Sequence, residues 1–312
     1  MEAFLIAMRA VMPMALLMGI GAVLRLTGVT DRDTMKKVDT VSFRLLIPCL
    51  MFHNIYNADF AAMKGSVYIS YALGVLAILF LVALTVIPKL EKDPRTAAAL
   101  GQVIVRPNYI IFGVVVAESI YGKGQIGPVA LLGAVTVPVF NAMAAVVLEV
   151  GRSGRADFRK LLISILKNPM VIAAILGVVV NLSGIRLPVS AESVIGDLSD
   201  MSTPLSFLSL GVSLDAAAIS SRIRPLASGV IGRLVLVPAI FMPIAAAIGI
   251  RGQELTALTI FLGAPAAVAG YPMAVAMGAD GELAGQSVIF TTLLSMITIF
   301  GWVWVLSHFA LV

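Results

Sequence analysis

Charge is the scarcest property of this sequence. Only 12% of its 312 residues are Asp, Glu, Lys or Arg, where a soluble domain carries roughly a quarter. So little charge excludes an ordinary water-facing fold and leaves no room for an appended soluble domain. Cysteine is nearly absent as well: Cys49 stands alone, which excludes an internal disulfide and leaves the redox compartment open. Histidine occurs twice, as His53 and His308. There is no metal-ligand spacing, no phosphate-binding loop and no nucleophile–base pair, so an enzyme, a metal site and a resident cofactor are all disfavoured. The net charge of +5 is explained by loop placement, and nucleic acid is not an expected partner.

What is present is apolar. Such residues make up 60% of the chain and fall in blocks of about 20, the length that crosses a bilayer. We read ten spans, at 4–26, 35–57, 66–87, 96–120, 126–149, 166–184, 190–214, 226–249, 254–278 and 286–308. The first lacks a basic start and runs too long for a signal peptide, so it is kept as a span. Loops after odd-numbered spans carry fourteen Lys and Arg, from Arg25 to Arg224, and loops after even-numbered spans carry four: Lys64, Lys123, Arg186 and Arg251. Basic loops stay on the cytoplasmic side. The expectation is a multi-pass cell-membrane protein in the lipid bilayer with both termini on the non-cytoplasmic side.

The chain repeats itself weakly. A shift of 156 residues lays Pro13-Met14 on Pro169-Met170, Gly21 on Gly177, Val23 on Val179, Leu26 on Leu182 and Gly28 on Gly184. The same offset lays Pro48 on Pro204 and Gly122 on Gly278. Each half, 1–150 and 151–312, is then a five-span unit. Five is odd, so the second unit enters the membrane inverted, a transporter architecture with its site near the midplane.

Two spans are interrupted. Span four contains Arg106-Pro107-Asn108-Tyr109, and span nine contains Gly263-Ala264-Pro265-Ala266. Proline removes a helix donor and clashes with the preceding turn. A break frees N–H groups at the start of the following half-helix, where the positive dipole end attracts a carboxylate. The competing reading is a proline kink stabilised by neighbouring helices. These eight residues are the candidate substrate site. Arg106 is read as a partner of an anionic substrate, as a partner of Glu118 or Glu149, or as a snorkelling interface residue. Arg233 in span eight is similarly placed. Asp200 is a candidate proton or cation site. His53 is either a proton carrier or a packing residue near the outer interface. Glu118, Asp200, Arg233 and His53 are thus the candidates for coupling or support, and coupling to protons or sodium is left open. Span two, around Pro48, and span seven, around Pro204, carry polar groups just after their prolines, including His53, Asn54, Ser206 and Ser209. These groups line a cavity or bond between helices.

The motif order resembles the auxin efflux carrier family, which includes bacterial organic-acid permeases and plant PIN-type carriers. The resemblance rests on Leu45-x-x-Pro48-x-Leu50-x-Phe52, Asn108, Lys167-Asn168-Pro169, the run from Pro204 to Leu210-Gly211-Val212-Ser213-Leu214, and Ala264-Pro265-Ala266. It implies an all-α integral membrane protein of ten helices in two inverted five-helix repeats, with broken helices four and nine crossing. It implies a scaffold of spans one, two, six and seven, usually dimeric, and a transport bundle of spans three to five and eight to ten that moves as an elevator. It implies a carboxylate substrate held in part by Asn108. Gly113 departs from the family pattern, being followed by Val114-Val115-Val116 where members often carry a proline. Span three also lacks the acidic residue of plant members. The function expected is transport of a small organic anion, a mono- or dicarboxylate. The alternatives are a bile-acid/sodium-symporter-type transporter and a non-transporting membrane sensor.

Overall fold

The structure, a computed structural model, describes residues 2–57, 66–109, 113, 116–117, 121, 127–153, 163, 166–213, 223–309 and 311. Within these residues it is almost wholly helical. The elements are α1 (Glu2–Leu26), α2 (Arg32–Val41), α3 (Ile47–Tyr56), α4 (Val67–Thr85), α5 (Ile87–Leu90), α6 (Pro94–Val105) and α7 (Gly127–Ser153). They continue as α8 (Pro169–Ser183), α9 (Val189–Ser213), α10 (Ile223–Ile231), α11 (Val237–Ala247), α12 (Gly252–Gly263), α13 (Gly270–Ala276) and α14 (Gly281–His308).

Three described helices are long and apolar enough to cross a membrane: Val67–Leu90, Gly127–Arg152 and Ile223–Ala247. The bent pair Gly281–Ser295 and Ile297–His308 makes a fourth if taken as one span. α1 and α9 are each 25 residues long and carry Pro13 and Pro204 inside them, while other apolar stretches are divided into shorter helices. The carbonyl four residues before a proline has no partner, and the ring pushes it aside. Here the turn widens. Ser42–Leu46, just before Pro48, and Gly232–Leu236, just before Pro238, are π-helical. Each closes on an i→i−5 bond, from Ile47 N to Ser42 O and from Val237 N to Gly232 O. The Leu234 carbonyl that Pro238 leaves unmatched receives the Trp302 indole N–H at 3.0 Å.

The helices pack mainly in two groups, which are joined where α1 meets α14 and where α3 and α8 meet α7. α1, α3, α8 and α9 pack on one another, and α4, α6, α7, α10, α11, α12 and α14 on one another. α2 meets α9 from the first group and α13, which continues from α12. Small residues allow the tightest crossing, that of α1 with α9. A Cβ on Gly21 would strike the Leu208 carbonyl, and one on Gly211 would strike the Met18 backbone. Without a hydrophobic drive between helices in lipid, such close backbone approach supplies the packing.

Two of the helix starts are capped by aspartates that lie against each other. Asp93 precedes Pro94 and accepts from the Arg95 and Thr96 amides and from Thr96 Oγ1 at 2.6 Å. Asp280 caps α14 through the Leu283 amide, and Thr96 Oγ1 lies 3.1 Å from its carboxyl, so the two caps abut.

Two measurements test this packing. Gly211→Ala should lower thermal stability by about 1–3 kcal/mol through overpacking, whereas Gly19→Ala, which meets nothing within 4 Å, should leave it unchanged or raise it by about 1 kcal/mol. Asp93→Ala should cost about 0.5–2 kcal/mol. The Thr96 hydroxyl, followed by the Arg95 and Thr96 amides, holds the Asp93 carboxyl below its ordinary value. Its contribution is therefore full above the unfolded carboxylate pKa and is lost as pH falls below it, so wild type and Asp93→Ala should converge in acid.

Candidate functional site

The two interrupted stretches meet. α6 ends at Val105 and α12 at Gly263, and the extended segments that follow lie antiparallel with Pro107 opposite Ala266. Asn108 N–H donates to Pro265 O at 2.7 Å, and Ala267 N–H donates to Arg106 O at 3.0 Å. Pro107 suits this register, because the residue between two such bonds turns its own nitrogen away from the partner strand. On the other strand the Ala266 amide is taken up by Thr291 Oγ1 of α14 at 3.1 Å.

Each break leaves carbonyls behind. The Phe261 carbonyl would pair with residue 265, which is proline. The Ile104 carbonyl would pair with the Asn108 amide, which has gone to the other strand. Arg233 supplies the missing donors: Nη2 donates to Phe261 O at 2.6 Å, Nη1 to Ile104 O at 3.0 Å and Nε to Ala264 O at 2.9 Å. Its side chain is 1% exposed. A cation at two converging helix C-termini is also favoured by both dipoles.

Arg106 is as deeply buried, at 3% exposure, but is served differently. Its Nη1 lies 2.6 Å from the Met273 sulfur, a weak acceptor, and its Nε has no hydrogen-bond partner among the described residues. It makes no ion pair among them. Glu149, one of its candidate partners, bonds Arg152 at 2.7 Å. Glu118, the other, lies outside the described residues.

A cavity of about 140 Å³ opens at this point. From the crossing it is lined by Arg106, Pro107, Asn108, Tyr109, Ala267, Val268 and Ala269. α7 adds Val137, Phe140 and Asn141, and α3 and α9 add Leu50, Asn54 and Thr203. Asn108 Nδ2 and Asn141 Oδ1 are buried and without partners among the described residues. The lining therefore presents a cation, an amide donor and an amide acceptor that the described residues do not fully satisfy.

The four candidates on span four all line this cavity. Those on span nine, Gly263, Ala264, Pro265 and Ala266, do not; they form the crossing, and the next three residues do the lining. Tyr109 also anchors the crossing: its hydroxyl reaches Val129 O at 3.1 Å and its ring meets Phe261 edge-on. Asp200 is exposed on α9, and His53 is half-buried beside Asn57. Neither lines the cavity. Asn141 was missed from the sequence, although an amide in the middle of the apolar span of α7 is a readable signal. Within the described residues there is no grouping of His, Cys, Asp and Glu able to hold a metal.

A family profile described as a membrane transport protein matches residues 6–154 and 152–303, nearly the whole chain. The chain belongs to this transporter family, the auxin efflux carriers. An uncharacterised transporter of Methanothermobacter thermautotrophicus is 22% identical over 302 residues, covering 96% of this chain and 98% of its own. A second uncharacterised transporter, from Methanocaldococcus jannaschii, is 26% identical over 160 residues, covering 50% of this chain and 52% of its own. As an auxin efflux carrier family member, the protein is a membrane transporter.

The two arginines of this carrier should separate on mutation. Arg233→Gln leaves carbonyls at both breaks without donors, at about 1–3 kcal/mol each. Arg106→Gln removes a buried charge that has no counter-ion among the described residues and should be neutral or stabilising. Thermal unfolding in detergent, followed by tryptophan fluorescence, should show a marked fall for the first variant and none for the second. Trp302, bonded to Leu234 beside Arg233, is a local reporter.

Proposed function

We propose that this carrier moves a small organic anion, a mono- or dicarboxylate, bound at the crossing of spans four and nine. The supporting observation is Arg106. A guanidinium at membrane depth is costly without a counter-charge, and the described residues provide none. A carboxylate entering the 140 Å³ cavity supplies that charge, accepts from Asn108 Nδ2 and relieves the unpartnered Arg106 Nε. Asn141 then serves as an acceptor for a hydroxyl or a protonated second carboxyl on the same ligand.

The motion we propose is alternating access of elevator type. On this reading spans one, two, six and seven form a dimeric scaffold. Spans three to five and eight to ten carry the site past it, and the two five-span halves are inverted repeats with ten spans in all. Its support is the packing in two groups, together with a cavity that takes Asn54 and Thr203 from one group and the remaining polar groups from the other. A substrate held between the two groups is exposed on one side or the other when they shift. We place both termini outside the cytoplasm on the strength of the basic loops.

Uptake into proteoliposomes against a panel of mono- and dicarboxylates tests the reading. Asn108→Ala and Arg106→Gln should each raise the KM for the transported acid by about 10–100-fold, the loss of a charge-assisted hydrogen bond. Uptake of a neutral or cationic solute with no carboxylate competition would refute it.

A further inference from the structure

A second set of unpartnered polar groups lies away from the crossing. Asp39, in the last turn of α2, is 1% exposed. Neither of its carboxyl oxygens has a hydrogen-bond partner among the described residues. Ser209 of α9 is close enough for its hydroxyl to serve the carboxyl, which favours the charged form against the larger opposing effect of burial, and Ser42 follows three residues later on the same helical face. Both serines are buried, and neither hydroxyl is partnered among the described residues. Facing α2 from the other side is α13, where Tyr271 lies within electrostatic reach of Asp39, Arg32 and Glu282. A cavity of about 310 Å³ beside them is lined by Arg32, Lys36, Ser213, Tyr271, Glu282 and Gln286.

Among the described residues, the charges around Asp39 form no salt bridge with it. Lys36 bonds Asp33 in solvent. On the π-helical turn Arg44 is exposed, and on α9 Asp197 and Asp200 are exposed. Tyr271 is the titratable residue that α13 presents. Two hydroxyls alone, with no counter-ion among the described residues, do not offset the cost of burying an ionised carboxylate. A metal or alkali cation needs more oxygen ligands than one carboxyl and two hydroxyls. A proton needs only the carboxyl, whose O–H then donates to Ser209 or Ser42.

We infer that Asp39 is a proton-carrying site at the seam between α2–α9 and the α13 end of broken span nine, and that its proton travels with the transport cycle. With α13 packed against it the carboxyl is neutral. When α13 moves away, the O–H bond breaks, the electron pair stays on the carboxylate, and the proton passes to water in the cavity beside Arg32 and Lys36. Its coupling to substrate rests on the transport reading above; its protonation does not.

Infrared spectroscopy of the reconstituted protein at neutral pH tests the protonation without any substrate. Wild type and Asp39→Glu should show a carboxylic-acid carbonyl band that Asp39→Asn lacks. Identical wild-type and Asp39→Asn spectra would mean an ionised Asp39 and overturn the inference. So would a band abolished by sodium chloride and not by choline chloride, which would make the site one for sodium. Coupling is then read with malonate as the probe and the membrane potential clamped. Each pH unit of gradient should change wild-type accumulation about tenfold for one proton and leave Asp39→Asn accumulation unchanged. Wild-type flux that ignores the gradient would overturn the coupling. Absence of malonate flux in every variant would count against malonate as the substrate, while the infrared band would still decide the protonation.

Discussion

The crossing depends on one side chain. Two helices stop in the interior of an apolar protein, and each stop leaves carbonyls that lipid cannot satisfy. Arg233 reaches three of them, on Ile104, Phe261 and Ala264, with three separate nitrogens. With that donor in place, Pro107 and Ala266 lie side by side and the two strands exchange their bonds. The widened turn before Pro238 carries Arg233, and Trp302 repairs the carbonyl that the proline frees. One proline thus shapes the turn that holds the residue compensating for another, Pro265.

Against this background the second buried arginine acquires its meaning. Arg106 and Arg233 are alike in burial and opposite in satisfaction. Arg233 gives its hydrogen bonds to the backbone, and it is a structural cation. Arg106 meets a methionine sulfur and, among the described residues, leaves a nitrogen unused, beside two amides that are also short of partners there. Buried polar atoms without partners are uncommon enough to need a reason. Three of them, counted among the described residues, surround the one cavity at the crossing, and this is the observation on which the proposed anion site rests.

Much of this was legible in the sequence, and for a definite cause. Arg106, Pro107 and Asn108 stand out because an apolar run tolerates none of them without compensation, and the helix does stop there. Membrane character and family follow from scarce charge and motif order. Other features were hidden because they arise from tertiary pairing. The 156-residue offset aligns Pro107 with Gly263, while in the fold Pro107 faces Ala266. The partners of Arg233 are backbone carbonyls, which leave no trace in residue types. Asp39 falls near the start of span two, close behind the charged residues from Asp31 to Lys37, and nothing in the sequence singles it out, yet the α2 turn carries it inward. Asn141 is a lone amide in an apolar span, where interhelical bonding is the ordinary reading.

We propose that an anion fills the cavity at the crossing and satisfies the groups there that lack partners among the described residues. It is tested most directly by a structure with a bound dicarboxylate chosen by uptake. The account predicts ligand density in the cavity at Asn141, with a carboxylate bonded to Arg106 and to Asn108 Nδ2 and with Arg233 still on its three carbonyls. A ligand bound elsewhere, with Arg106 paired to a protein carboxylate, would contradict it.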